Sequence, residues 1–143
     1  MNNKDHEHPP KALRVLVVDD EAGFRDLWQW ELNNRGITVD TATDGAEGVR
    51  MAAKTKYDVI ITDITMPEMD GLKLLDEVNK TDSRTAIIIA TGFGTVETAV
   101  HAMKRGAFDF VLKPYDLENL MTRVRQAVDR LSQCQQCGRL NHE

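Results

Sequence analysis

One pattern constrains this chain more than any other: a short apolar run followed by a helix-forming segment, repeated five times between Leu13 and Leu131. The runs begin near Leu13, Ile37, Asp58, Thr85 and Phe108. They are rich in β-branched residues, which fit a pleated, buried surface. Three of them, Leu13-Arg-Val-Leu-Val-Val18, Val59-Ile-Ile-Thr62 and Ala86-Ile-Ile-Ile-Ala90, are nearly continuously apolar rather than alternating. A strand of that kind is covered on both faces, so the spacing predicts a parallel sheet between two layers of helices. Helix starts carry side-chain caps at Asp44, Asp70 and Asp116, and Gly36 and Gly106 stand where left-handed residues close the preceding helices.

With 143 residues the chain holds one ordinary domain and one core. Hydrophobic residues at 41% exclude disorder over most of its length. The net charge of -5 argues against a surface that gathers phosphate backbones, so no direct nucleic-acid partner is expected. Residues 1–11 are polar, contain Pro9 and Pro10, and lack the apolar stretch of a signal peptide. No run approaches the roughly 18 apolar residues of a membrane span, so a cytoplasmic protein without membrane contact is expected. Two cysteines make no disulfide framework. The expected division is a disordered leader over 1–11, a single folded domain over 12–132 and a tail over 133–143.

Ligands of an open α/β sheet bind beyond the carboxyl ends of the strands, where strand order reverses. There the first run ends in Asp19-Asp20 and the third in Asp63. If those strands are neighbours, three carboxylates converge, and like charges so close usually persist because a cation or a reaction needs them. Hard oxygen ligands suit Mg²⁺, which takes one or two protein carboxylates together with phosphoryl oxygens. The fourth run ends in the Thr91 hydroxyl and the fifth in the Lys113 ammonium beside Pro114, both expected opposite the acids. Metal, hydroxyl, ammonium and a nucleophilic carboxylate are the parts that phosphoryl transfer requires. Any one of these acids alone reads as a turn former or cap; four strand ends together do not.

Asp19-Asp20, the segment Asp63-Ile-Thr-Met-Pro-Glu-Met-Asp-Gly71, Thr91-Gly92 and Lys113-Pro114, in this order across Leu13 to about Leu131, resemble the signatures of response regulator receiver domains of bacterial two-component systems. The stretch from Gly92 to Phe110 is most similar to receivers attached to enhancer-binding transcription activators. The resemblance implies a flavodoxin-like, doubly wound α/β fold with five parallel strands in order 2-1-3-4-5 and five helices. It implies Asp63 as the acceptor of a phosphoryl group from a sensor histidine kinase, with Asp19, Asp20, Asp63 and the backbone carbonyl of Thr65 holding Mg²⁺. Thr91 and Lys113 would contact the phosphoryl oxygens, and Thr91 and Phe110 would form the switch, Phe110 by packing alone because it lacks tyrosine's hydroxyl. The implied partners are the kinase, a downstream output domain or protein, and a second copy through helix four, strand five and helix five. A cis bond before Pro114 and tuning of the phosphoryl lifetime by Thr65 and Phe93 also follow from the resemblance.

Lesser signals have plainer readings. Gly92-Phe-Gly94-Thr-Val-Glu97 has the look of a dinucleotide-binding turn, but Glu97 stands where the third glycine belongs. In helix one, Phe24, Leu27, Trp28 and Leu32 share a face and Trp30 points away. In helix five, Leu117, Met121, Val124, Val128 and Leu131 form a stripe that fits core packing or the start of a coiled coil, and Leu131 is the best candidate for a partner contact. Cys134 and Cys137 with His142 have the spacing of half a zinc site; two inert thiols in a polar tail are the simpler reading. A magnesium phosphatase working through an aspartyl-phosphate is the rival function. It lacks a second acid two residues after Asp63, where Thr65 stands, and any insertion able to cap a substrate.

Overall fold

The structure, a computed structural model, describes residues 13–64, 70–81, 84–92, 95–113 and 117–141, with backbone alone for 81, 117 and 131–141. Five strands, β1 (Arg14–Val18), β2 (Thr38–Ala42), β3 (Val59–Thr62), β4 (Ala86–Thr91) and β5 (Asp109–Leu112), alternate with five helices. The helices are α1 (Ala22–Asn34), α2 (Gly45–Lys54), α3 (Gly71–Thr81), α4 (Val96–Lys104) and α5 (Leu117–Asn141). The strands form one sheet in the order β2-β1-β3-β4-β5, with every pairing parallel. Chain order therefore reverses between β1 and β3, the place where such a sheet opens a crevice.

The continuous apolar runs do what their pattern requires. Successive residues of a strand face opposite sides. Val15, Val17, Val59, Ile61 and Ile88 point into one core with Trp28 and Leu32 of α1 and Leu120, Met121, Val124 and Ala127 of α5. Leu16, Val18, Ile60, Ile87 and Ile89 point into the other with Leu74, Leu75 and Val78 of α3 and Ala102 of α4. The single core expected from the chain length is thus two, because a sheet covered on both faces separates its apolar side chains into two layers, and together they clamp the middle strands so that the strand ends are fixed in space.

The expected caps form: Asp44 accepts from the Glu47 N–H and Asp70 from the Lys73 N–H, each at 2.9 Å. Gly36 and Gly106 are left-handed, with φ of 81° and 103°. Asp116 lies outside the described residues, as does residues 1–11, the expected leader. Thr95 and Thr98 build a reciprocal capping box at the start of α4 that the sequence reading did not single out.

On α1, Trp28 and Leu32 are buried and Trp30 is 62% exposed, as the spacing predicts. Leu27 departs from its expected face and is 39% exposed, because the sheet covers a narrower stripe than the apolar residues occupy. On α5, Met121 and Val124 are buried and Val128 packs against the core, while the side chains of Leu117 and Leu131 lie outside the description. The helix itself continues to Asn141, ten residues beyond the Leu131 end read from the stripe. No described helix is long and apolar enough to cross a membrane.

Candidate functional site

The ladder of hydrogen bonds does not stop at the strand ends. The Asp19 N–H donates to the Ala42 carbonyl and the Asp63 N–H to the Val18 carbonyl, both at 3.1 Å, so β1 and β3 each run one residue further into an aspartate. Asp19 and Asp63 thus sit side by side on adjacent parallel strands, each 5% exposed. Asp20 follows at the surface, and one carboxylate oxygen from each of the three lies within 4.8 Å of the others. The same extension at the far side, Lys113 N–H to Thr91 carbonyl at 2.8 Å, fixes where the lysine leaves β5.

The lysine side chain returns across the edge to the acids. Its Nζ lies 2.6 Å from Asp19 Oδ2, 3.1 Å from Asp63 Oδ2 and 3.4 Å from Glu21 Oε1. The sequence reading set the ammonium opposite the acids; the structure puts it among them, since buried carboxylates that close together draw in the nearest cation. Burial alone would push the Lys113 pKa down, but the hydrogen bonds and charges of Asp19 and Asp63 outweigh it and hold the ammonium well above its ordinary value. Burial also pushes the Asp19 carboxyl above the usual carboxylate range, and the like charge of Asp63 adds to this. Bonds from Lys113 and from the Glu21 N–H, with the lysine's charge, pull it back. Arg25 Nη1 donates to the Asp19 carbonyl at 2.7 Å and the Glu21 N–H to Asp19 Oδ1 at 2.9 Å, so the first turn after β1 is stitched to the acid it follows.

Thr91, the last residue of β4, is fully buried beside β5. Phe110, on β5, pairs with Ile89 of β4 and packs, half-buried, against the core that α3 and α4 cover. Gly71 opens α3 so close to the end of β3 that a Cβ there would stand 2.1 Å from the Asp63 backbone oxygen. The predicted residues Asp19, Asp20, Asp63 and Lys113 are therefore gathered at one edge. Thr65, Phe93 and Pro114 lie outside the described residues, as do His142 and the side chains of Cys134 and Cys137. Three residues make contacts at this edge that the sequence does not foretell: Glu21, Phe24, read only as part of the apolar face of helix one and with its ring centroid 4.0 Å from Lys113 Nζ, and Gly71, read only as the end of the Asp63–Gly71 segment. Glu21 had a signal, a third acid directly after the pair. Phe24 had none beyond its place on the first turn of α1.

Buried acids at the β1/β3 switch point of a parallel sheet, paired with the lysine that follows β5, define a doubly wound α/β domain with an acidic cluster able to hold a cation at its carboxyl edge. Residues 15–125 match the response regulator receiver domain family. Regulatory protein AtoC of Escherichia coli (strain K12) is 40% identical over 115 residues, 80% of this chain and 25% of the relative. DNA-binding transcriptional regulator NtrC of the same strain is 35% identical over 122 residues, 85% of this chain and 26% of the relative. The crystal structure of a response regulator receiver domain protein from Clostridium thermocellum superposes with a TM-score of 0.78 at 35% identity, covering 82% of this chain and 95% of the other. The chain belongs to the response regulator receiver domain family, a module of two-component signalling. It spans about a quarter of the length of the two curated relatives.

Proposed function

We propose that this receiver accepts a phosphoryl group on Asp63 from the phosphohistidine of a sensor kinase and converts it into a change of partner. The observation that carries the reading is the pairing of a buried Asp63 carboxylate with an ammonium 3.1 Å away, beside two further acids. An Asp63 oxygen attacks phosphorus, the bond from phosphorus to the donor's imidazole nitrogen breaks, and that nitrogen keeps the electron pair and takes up a proton. Lys113, beside the Asp63 oxygen, would offset the charge that the phosphoryl oxygens carry.

An all-oxygen donor set in which two of three carboxylates are buried fits a hard divalent cation. Asp19, Asp20 and Asp63 would hold Mg²⁺, with the Thr65 carbonyl as a further ligand. Bound there, the ion supplies charge neutralisation for the developing phosphoryl oxygens.

Thr91 and Phe110 form the switch in this reading. Thr91 moves to the new phosphoryl group, and Phe110 repacks into the space it leaves, altering the surface of α4, β5 and α5. That surface would meet an output domain or protein, or a second copy of the receiver. The working unit is residues 12–132, with 1–11 as leader and 133–143 as a tail into which α5 continues as far as Asn141, acting in the cytoplasm without touching nucleic acid or membrane. It is a phosphoacceptor that assists its own modification rather than a turnover enzyme. Intact mass after incubation with acetyl phosphate tests this: a gain of one phosphoryl group is expected in the native chain with Mg²⁺, and none without Mg²⁺ or in Asp63→Asn. Continuous hydrolysis of a phosphate ester without stoichiometric modification would favour the phosphatase instead.

A further inference from the structure

Phe24 stands on the first turn of α1, half-buried, yet it belongs to neither of the two cores among the described residues. Its neighbours along the same face, Trp28 and Leu32, are buried in the core under the sheet. The Phe24 ring instead lies over the Lys113 ammonium, 4.0 Å from centroid to Nζ. A ring face is the negative end of the aromatic quadrupole, so it attracts a cation while keeping water off that side.

The other sides of the same ammonium are taken by Asp19 at 2.6 Å, Asp63 at 3.1 Å and Glu21 at 3.4 Å. Two of these are demands that change during phosphoryl transfer. The negative charge on Asp63 moves outward onto the phosphoryl oxygens when it becomes an acyl phosphate, and Asp19 shares its charge with any cation held beside it. Glu21 is an exposed side chain, screened by water. Phe24 is the one partner of these four whose attraction does not depend on the charge state of the site. The lysine side chain is a flexible, four-carbon stem that reaches the edge from the end of β5, and the ring is the contact on its head that persists as that charge is redistributed.

We propose that Phe24 is a positioning residue for the phosphoacceptor chemistry: its ring holds the Lys113 ammonium at the acceptor carboxylate through the transfer. This rests on the reading of Asp63 as phosphoacceptor. The proposal needs an aromatic face and not merely an apolar volume, which separates it from ordinary packing.

The test is the rate of modification by acetyl phosphate and Mg²⁺, followed by intact mass, in the native chain, Phe24→Leu and Phe24→Trp, each also in a Lys113→Ala background. Phe24→Leu is expected to be modified about threefold to tenfold more slowly, and Phe24→Trp to keep the native rate. In the Lys113→Ala background the Phe24→Leu change is expected to have no further effect. As a readout independent of modification, the Lys113 Hε resonances of the native chain are expected to be shifted upfield by the ring and to return to ordinary values in Phe24→Leu. Native rates in Phe24→Leu, or the same loss with and without Lys113, would overturn the inference while leaving Asp63 as acceptor. A native chain that takes up no phosphoryl group would overturn the phosphoacceptor reading, and this inference with it.

Discussion

A methyl group added at Gly71 would meet the backbone oxygen of Asp63 at 2.1 Å, and backbone cannot swing aside as a side-chain end can. Gly71→Ala is therefore expected to lower stability by about 2–3 kcal/mol in urea melts, with slower modification of Asp63. Gly23→Ala serves as the opposite control: nothing lies within 4 Å of its Cβ position on α1, so an unchanged or slightly raised urea midpoint is expected. Tyr57 gives a pH prediction. Its buried hydroxyl donates to Asp40 Oδ2 at 2.6 Å, and burial first, then the bond and charge of Asp40, push its pKa up to about 12 from 10.0. The folded state then keeps the phenol proton that the unfolded chain releases. This contribution is fully present below about pH 10 and is lost as pH rises toward about 12. Absorbance of tyrosinate and urea midpoints through that window check it, and Tyr57→Phe is expected to flatten the slope and to cost about 1 kcal/mol at neutral pH. At this scale the acids and Lys113 were legible because each ends an apolar run. Glu21, Phe24 and Gly71 were not assigned roles, because what they touch is decided by how α1 and α3 dock, which residue spacing does not state.

Between elements, the parallel sheet was readable because Val15 to Val18, Val59 to Thr62 and Ala86 to Thr91 have no polar face to turn to water. The five strands start one residue later than their apolar runs, where β pairing begins. The helix faces were less legible: Leu27 shares the apolar stripe of α1 but is left at its edge, and the length of α5 exceeds the stripe that suggested it. The two tryptophans of α1 turn this into a measurement. Trp28 is 1% exposed and Trp30 is 62% exposed, two residues apart on one helix. Trp28→Ala is expected to cost about 3–5 kcal/mol, and Trp30→Ala to stay within about 0.5 kcal/mol of the native chain. Iodide is expected to quench Trp30 fluorescence in Trp28→Phe and to leave Trp28 nearly unquenched in Trp30→Phe.

For the whole molecule, the two cores hold the strands, the strands extend their ladders into Asp19, Asp63 and Lys113, and the crevice between β1 and β3 collects the charge. That collection is costly without a counterion beyond the lysine, so a cation that binds the folded state alone is expected to stabilise it. Millimolar Mg²⁺ is expected to raise the Tm by about 3–6 °C, and by less in Asp20→Asn, which has one carboxylate fewer. The most direct test of the account is to find the atom that is modified. After incubation with acetyl phosphate and Mg²⁺, borohydride reduction converts an aspartyl-phosphate to homoserine, and peptide mass spectrometry reads its position. The account predicts conversion at Asp63 alone. Conversion at another carboxylate, or a phosphoryl group that survives reduction, would contradict it.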